Sequence, residues 1–277
     1  MKQKLRLHKQ DTYINNIHSS SEKQLNKMKQ FENKVALVTG GAAGIGKATA
    51  IEFARNGAKV VVADLADASG TVKAIKEIGG EAIYVKCDVS NDKNVKALIE
   101  TAVSTYGSLD FGFNNAGVEL GGIPVDEVSV EEFDKVVGIN LRGVFLCIKY
   151  EAIQMLKQGK GAIVNTASAA GLVGVPSLSA YTASKHGIVG LTKTAALDLG
   201  KRGVRVNTVC PGAIRTPMLE ATMKNSPAAK AQIEDSQILG RIGEPLEIAN
   251  AVIWLCSDSA SFVNGISMPV DGGWVAK

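Results

Sequence analysis

Val35-Ala36-Leu37-Val38-Thr39-Gly40-Gly41-Ala42-Ala43-Gly44-Ile45-Gly46 is the stretch that decides how this chain folds. Val35 to Thr39 is a short apolar run of the length and composition of a buried strand, and Lys47 to Asn56 has a helical pattern closed by Gly57. Between them lies a glycine turn with Gly-x-x-x-Gly-x-Gly spacing at Gly40, Gly44 and Gly46. Glycines at a strand-to-helix turn let the backbone approach a pyrophosphate. The helix N-terminus adds free N–H groups and a partial positive charge. The stretch therefore reads as a phosphate cradle.

The same alternation continues outward. Lys59 to Asp64 reads as a second strand, Ala68 to Ile78 as a helix closed by Gly79-Gly80, and Glu81 to Cys87 as a third strand. Asn94 to Tyr106 is again helical, and Leu109 to Phe113 is a fourth strand. Ala162 to Thr166, Val204 to Val209 and Ile266 to Val270 extend the series. Strands alternating with helices through short glycine turns form βαβ units. The fold class expected is α/β: a single doubly wound, Rossmann-like domain whose mostly parallel sheet of about seven strands carries helices on both faces.

The chain has 277 residues, 45% of them hydrophobic, enough for one large domain with a sizeable core. That domain is expected over residues 31–277, after a disordered basic extension over residues 1–30. The extension holds seven Lys and Arg against Asp11 and Glu22, whereas residues 31–277 balance 24 basic groups against 25 acidic ones. The sequence pI of about 8.8 thus arises in the extension, and the body is not a nucleic-acid binder. Met28, just before the folded pattern, is a candidate translation start. Cys87, Cys147, Cys210 and Cys256 are far apart and lack metal-ligand spacing, so they read as reduced core thiols with no metal site. No apolar run approaches the roughly 18 residues of a membrane span. A cytoplasmic protein is expected.

Two further features carry chemistry. In Ser179-Ala180-Tyr181-Thr182-Ala183-Ser184-Lys185 the step from Tyr181 to Lys185 is about one helical turn, so phenol and ammonium share a face. The lysine charge is expected to draw the tyrosine down from its usual pKa of about 10 and make it a proton donor and acceptor. Asp64, at the end of the second strand, stands where an acidic group meets the adenosine ribose hydroxyls. Two like charges ~4 Å apart at an effective dielectric of ~20 repel by roughly 4 kcal/mol, which disfavours a ribose 2′-phosphate. NAD is therefore expected over NADP, although Lys47 lies nearby.

Together these residues resemble the short-chain dehydrogenase/reductase family over essentially all of Lys34 to Lys277. The matching signatures are Thr39 to Gly46, Asn114-Asn115-Ala116-Gly117, Asn140 within Ile139 to Phe145, Ser168, Tyr181-x-x-x-Lys185 and Pro211 to Thr216. The resemblance implies catalytic roles for Asn140, Ser168, Tyr181 and Lys185. Tyr181 exchanges a proton with the substrate oxygen, Ser168 donates a hydrogen bond to it, Lys185 assists the phenol and holds the nicotinamide ribose, and Asn140 organises a water path behind the lysine. It implies cofactor contacts from Gly40, Ala43, Gly44, Ile45, Gly46 and Asp64, from Asp88 and Val89 at the adenine, and from Asn115, Ala116, Gly117, Tyr181, Lys185, Pro211, Ile214 and Thr216. Asp88 also reads as a cap on the following turn, and Ile214 as core.

The Phe111-Gly112-Phe113 strand is bulkier than the family's usual aliphatic one. His186 is a bystander, since adjacent helix positions point in different directions. Substrate contacts are expected from Val118 to Gly122, Ala169 to Val173 and Ala213 onward, mostly small or apolar residues suited to a small, largely apolar secondary alcohol or ketone. Glu119 either binds a polar substituent or is an exposed loop carboxylate. Residues 213–241 read as an irregular lid. Pro245 to Ser257, with Ile248, Val252 and Leu255 on an apolar face, together with the final strand and Asp271 to Trp274, resembles the surface through which family members form homotetramers; the alternative is that the helix only covers its own sheet. Two alternatives stand beside an NAD-dependent alcohol dehydrogenase. Asp64 weighs against an NADPH-dependent 3-oxoacyl-[acyl-carrier-protein] reductase, and the complete Asn140, Ser168, Tyr181 and Lys185 set weighs against a non-catalytic nucleotide-binding protein.

Overall fold

A computed structural model of the chain describes residues 29–224 and 227–276. The expected disorder of the extension up to residue 28, and the candidate start at Met28, lie outside the described residues. In chain order the elements are β1 (Val35–Thr39), α1 (Gly44–Arg55), β2 (Lys59–Asp64), α2 (Ser69–Glu77), β3 (Ala82–Lys86), α3 (Asp92–Tyr106), β4 (Phe111–Asn114) and α4 (Val130–Val137). A π-helical turn over Gly138–Arg142 joins α4 to α5 (Gly143–Gln158). Then follow β5 (Gly161–Thr166), α6 (Ser179–Gly200), β6 (Val204–Pro211), α7 (Pro217–Lys224), α8 (Pro227–Ser236), α9 (Pro245–Cys256) and β7 (Ser267–Val270).

The seven strands form one sheet in the order β3-β2-β1-β4-β5-β6-β7, and every pairing is parallel. β1 explains why both faces are covered. Side chains alternate along a strand. Val35 and Leu37 pack with Leu98, Cys147 and Ile188 from α3, α5 and α6. Ala36 and Val38 pack with Phe53, Ile75 and Ile248 from α1, α2 and α9. A strand buried on both sides must read as a continuous apolar run, as this one does. Strand order reverses between β1 and β4, so the loops leaving their carboxyl ends diverge and open a crevice there.

β4 also accounts for its departure from an aliphatic pattern. Phe111 packs against Phe31 and Phe53, with ring centroids 4.6 and 5.8 Å away. Gly112 leaves room for Glu151 of α5: a Cβ there would lie 2.2 Å from Glu151 Oε1. Glu151 is wholly buried. Its Oε2 accepts a hydrogen bond from Asn114 Nδ2 at 2.9 Å, while Oε1 has no hydrogen-bond partner among the described residues. Burial raises its pKa from 4.5 to about 7, with the Asn114 hydrogen bond acting in the opposite direction. Between those two values the folded chain keeps a proton that the unfolded chain has released. The contribution is therefore full below the window and falls as pH rises through it. Relative to Glu151→Gln, the wild type should lose on the order of 3 kcal/mol between about pH 5 and about pH 8. Thermal melts of both proteins across that range test this, and parallel pH profiles would contradict it.

One expectation needs correction. The lid segment is not irregular, because α7 and α8 lie within it. Each begins with a proline, Pro217 or Pro227, whose fixed φ and missing N–H suit the first helical turn. The apolar face of α9 covers the chain's own sheet, the second of its two expected roles: Ile248, Val252 and Leu255 are fully buried there. Leu246 and Trp254 are the exposed apolar residues of that helix. All four cysteines are buried and free.

Candidate active site

The crevice is built first by the turn after β1. Thr39 Oγ1 accepts the amides of Asn115 and Ala116 at 2.9 and 3.1 Å, tying the carboxyl end of β1 to that of β4. Asn115 Nδ2 donates back to the carbonyls of Thr39 and Gly40 at 3.2 and 3.3 Å. This closeness requires glycine. Gly40 has φ +65°, and a Cβ on Gly46 would stand 2.1 Å from the Gly40 carbonyl oxygen. α1 begins behind Ala43, which has no side-chain acceptor, and its first turn carries no acidic residue. Its leading amides thus have no side-chain cap and suit the phosphates of a dinucleotide. Gly44 lies beside Thr216, whose Cγ2 is 3.1 Å from where a Gly44 Cβ would be. Asp64 accepts the amides of Ala42 and Ala66, each at 2.9 Å, so the turn itself fixes this carboxylate.

The second part of the site comes from α6, β5 and the π turn. Tyr181 and Lys185 occupy successive turns of α6, with the lysine Nζ 5.4 Å from the phenol ring centroid. Lys185 is buried and donates to the Thr166 carbonyl at the end of β5, at 2.9 Å. Burial with only a neutral partner lowers its pKa to about 8, against the weaker opposing pull of Cys210 and Glu119. The Ser168 hydroxyl lies close enough to the Tyr181 phenol to favour its ionised form. Protein surrounds Tyr181 on most sides, while part of its surface stays open. Burial pushes its pKa up to about 12; the neighbouring Ser168 hydroxyl opposes the rise and the Glu119 charge adds to it. The expected lowering by Lys185 is therefore not found. The ammonium is directed at the Thr166 carbonyl, and burial is the largest influence on the phenol.

Asn140 sits in the π turn, a local widening that often marks a functional position in a helix. Its Oδ1 accepts Val118 N–H at 2.8 Å, and its Nδ2 donates to the Val118 carbonyl at 2.9 Å and to Ser184 Oγ at 3.2 Å. Ser184 Oγ donates to the Tyr181 carbonyl at 2.7 Å. Gly117 completes the enclosure: a Cβ there would lie 3.1 Å from Asn140 Oδ1 and 3.8 Å from Lys185 Nζ. Asn140, Ser168, Tyr181 and Lys185 thus converge beside Asn115, Ala116 and Gly117.

Other expected residues lie farther from this centre or have a second task. Asp88 Oδ1 accepts the Ser90 amide and hydroxyl at 2.9 and 2.7 Å, so it does cap the following turn. Val89 is buried against Gly143. Ile214 is buried in the core cluster that contains Ile248, and Pro211 ends β6. His186 is exposed, and its Nδ1 lies 3.0 Å from the Thr182 carbonyl one turn back. Sequence reasoning missed Ser184 and the Thr166 carbonyl as connectors, together with the π turn. A backbone acceptor and a widened helical turn have no residue-type signature. Among the described residues there is no cluster of three His, Cys, Asp or Glu able to hold a metal ion, and no helix long and apolar enough to cross a membrane.

Comparison with known proteins adds independent findings. The family profile described as Enoyl-(Acyl carrier protein) reductase matches residues 40–275. A 2,5-dichloro-2,5-cyclohexadiene-1,4-diol dehydrogenase of Sphingobium indicum is 46% identical over 250 residues, covering 90% of this chain and 100% of that protein. A cyclohexanol dehydrogenase of Acinetobacter sp. (strain SE19) is 44% identical over 256 residues, covering 90% and 97%. The crystal structure of NAD+-bound xylitol dehydrogenase superposes with a TM-score of 0.85 at 36% identity, covering 88% of this chain and 100% of that one.

Proposed function

The chain belongs to the short-chain dehydrogenase/reductase family, and from that premise we propose that it interconverts a small, largely apolar secondary alcohol and its ketone, using NAD(H) and Tyr181 as acid and base. Its kinship makes it an oxidoreductase acting on CH–OH donors and a binder of nicotinamide dinucleotide. The observation that carries the finer reading is the meeting of Tyr181, Ser168, Lys185 and Asn140 beside an uncapped helix N-terminus.

Bound NAD would supply the hydride acceptor. The chain's own groups supply position and proton traffic. Gly40, Ala43, Gly44, Ile45, Gly46 and the first turn of α1 hold the pyrophosphate, Asp64 the adenosine ribose, and Asp88 and Val89 the adenine. Asn115, Ala116, Gly117, Pro211, Ile214 and Thr216 line the remaining length toward the nicotinamide. In oxidation Tyr181 Oη takes the proton of the alcohol hydroxyl, and in reduction it returns one. Ser168 Oγ donates to the same oxygen as charge develops on it. Lys185, anchored on the Thr166 carbonyl, brings an ammonium beside that exchange. Asn140 positions both sides by holding Val118 and, through Ser184, the first turn of α6.

Asp64 favours NAD. Held by two amides, its charge cannot turn away from a 2′-phosphate, and like-charge repulsion at close range opposes NADP. Residues 213–241 act as a lid, now with two helices, whose ends are held by the Arg215–Glu244 and Arg241–Glu247 ion pairs. The enzyme works as a cytoplasmic homotetramer: its free thiols suit a reducing compartment, and Trp254, Phe262 and Ile266 expose apolar surface near the β7 edge of the sheet. The test is initial-rate measurement of nicotinamide reduction across secondary alcohols with each cofactor. NAD should be preferred by roughly 100-fold in kcat/KM. A preference for NADP would overturn the cofactor assignment and favour the oxoacyl reductase alternative. No turnover of any alcohol would overturn the whole reading.

A further inference from the structure

Glu119 has no part in the proton exchange just described, yet its place is fixed. The loop after β4 is held before it by Asn140, which binds both the N–H and the carbonyl of Val118 at 2.8 and 2.9 Å. It is held after it by Ser177, whose carbonyl accepts the amides of Gly122 and Ile123 at 3.0 and 3.3 Å. Gly121 sits against Leu178, since a Cβ there would meet Leu178 Cδ2 at 2.0 Å. Glu119 and Leu120 are therefore the short tip of a loop clamped at both ends, next to the first turn of the helix that carries Tyr181.

The clamp at Val118 and Ser177 sets Glu119 beside the first turn of α6, close enough for its charge to act on the reacting groups. That charge raises the pKa values of both Tyr181 and Lys185. Glu119 forms no hydrogen bond or ion pair with another described residue; the residue as a whole is exposed, while partial burial of the carboxyl raises its pKa against the opposing charge of Lys185. Its loop neighbours, Val118, Leu120 and Gly121, offer no side-chain hydrogen bond. An ionised carboxylate accepts hydrogen bonds and donates none. It therefore selects a donor and repels anionic groups, while the nearby Lys185 ammonium disfavours a cation. A hydroxyl is the group that suits both.

Resting on the dehydrogenase reading above, we propose that Glu119 accepts a hydrogen bond from a second hydroxyl of the substrate, so that the site prefers a cyclic diol to the corresponding simple alcohol. Val118 and Leu120 then cover the ring while the carboxylate fixes which carbinol reaches Tyr181. The dehydrogenase of Sphingobium indicum that resembles this chain is named for a cyclic 1,4-diol.

The experiment compares cyclohexane-1,4-diol with cyclohexanol in wild type, Glu119→Ala and Glu119→Gln. The ratio of kcat/KM for diol over simple alcohol should fall about 10-fold or more in Glu119→Ala and less in Glu119→Gln, as expected for loss of a charge-assisted hydrogen bond. Calorimetric titration of the diol, with NAD present, into Tyr181→Phe protein gives a readout without turnover. Adding Glu119→Ala there should weaken diol binding by a similar factor. An unchanged ratio or an unchanged diol affinity overturns the role of Glu119 while leaving the dehydrogenase reading intact. A wild type that turns over neither alcohol overturns that reading and this proposal with it.

Discussion

Tyr181→Phe should lower turnover by about 10²–10⁴-fold, the range typical of removing a general acid–base group, while NAD affinity stays within a few-fold of wild type. The substitution deletes one oxygen. The ring keeps its place in α6, and Lys185 keeps its anchor on the Thr166 carbonyl. The cradle from Thr39 to Gly46 depends on Asn115 and on glycine backbone, and none of its hydrogen bonds uses the phenol. On the proposed mechanism, what is lost is the group that takes the alcohol proton beside Ser168. Steady-state kinetics paired with fluorescence titration of the cofactor separates the two effects. Activity close to wild type would refute the acid–base role. Equal loss of cofactor binding would mean that the phenol is structural.

Lys185→Met should change activity and stability in opposite directions. The ammonium is buried with a carbonyl as its only hydrogen-bond partner among the described residues, and its pKa falls from 10.5 to about 8. Below about pH 8 both folded and unfolded chains carry the proton, so the folded chain bears the full cost of the buried charge. Between that value and 10.5 the folded chain has released a proton that the unfolded chain retains, so stability rises with pH through that window. Methionine removes the cost at every pH. Set against the loss of one hydrogen bond, worth about 1 kcal/mol, the variant should gain on the order of 2 kcal/mol near neutral pH. Turnover should nevertheless fall by about 10²-fold or more, because the charge beside the proton exchange is gone. Melting curves near neutral pH and near pH 10 test the sign: the gap between variant and wild type should narrow at the higher pH. A variant that is less stable at both would contradict the assigned cost of burial.

Much of this architecture is legible in the residues because the physics behind it is local. A five-residue apolar run must be a strand covered on both faces, and Gly40, Gly44 and Gly46 mark the turn that only glycine permits. The pairing of Tyr181 with Lys185 follows from helical spacing alone. What escapes local reading depends on three-dimensional neighbours. Glu151 looks like an ordinary surface glutamate of α5 until Gly112 opens a place for it beneath the sheet. The phenol's raised pKa is a matter of surrounding protein, which the lysine's spacing does not reveal. The apolar stripe of α9 is as suited to its own sheet as to another copy, and packing alone decides between them. The lid helices are hidden by their mixed composition, although Pro217 and Pro227 stand at their first positions.

Deuterium transfer from cyclohexanol labelled at its carbinol carbon is the most direct test of the central claim that a substrate hydride reaches NAD while Tyr181 takes the hydroxyl proton. The account predicts reduced cofactor carrying the substrate's deuterium in wild type, and none formed above background by Tyr181→Phe over the same time. Reduced cofactor without the label, or equal labelling by both proteins, would contradict it.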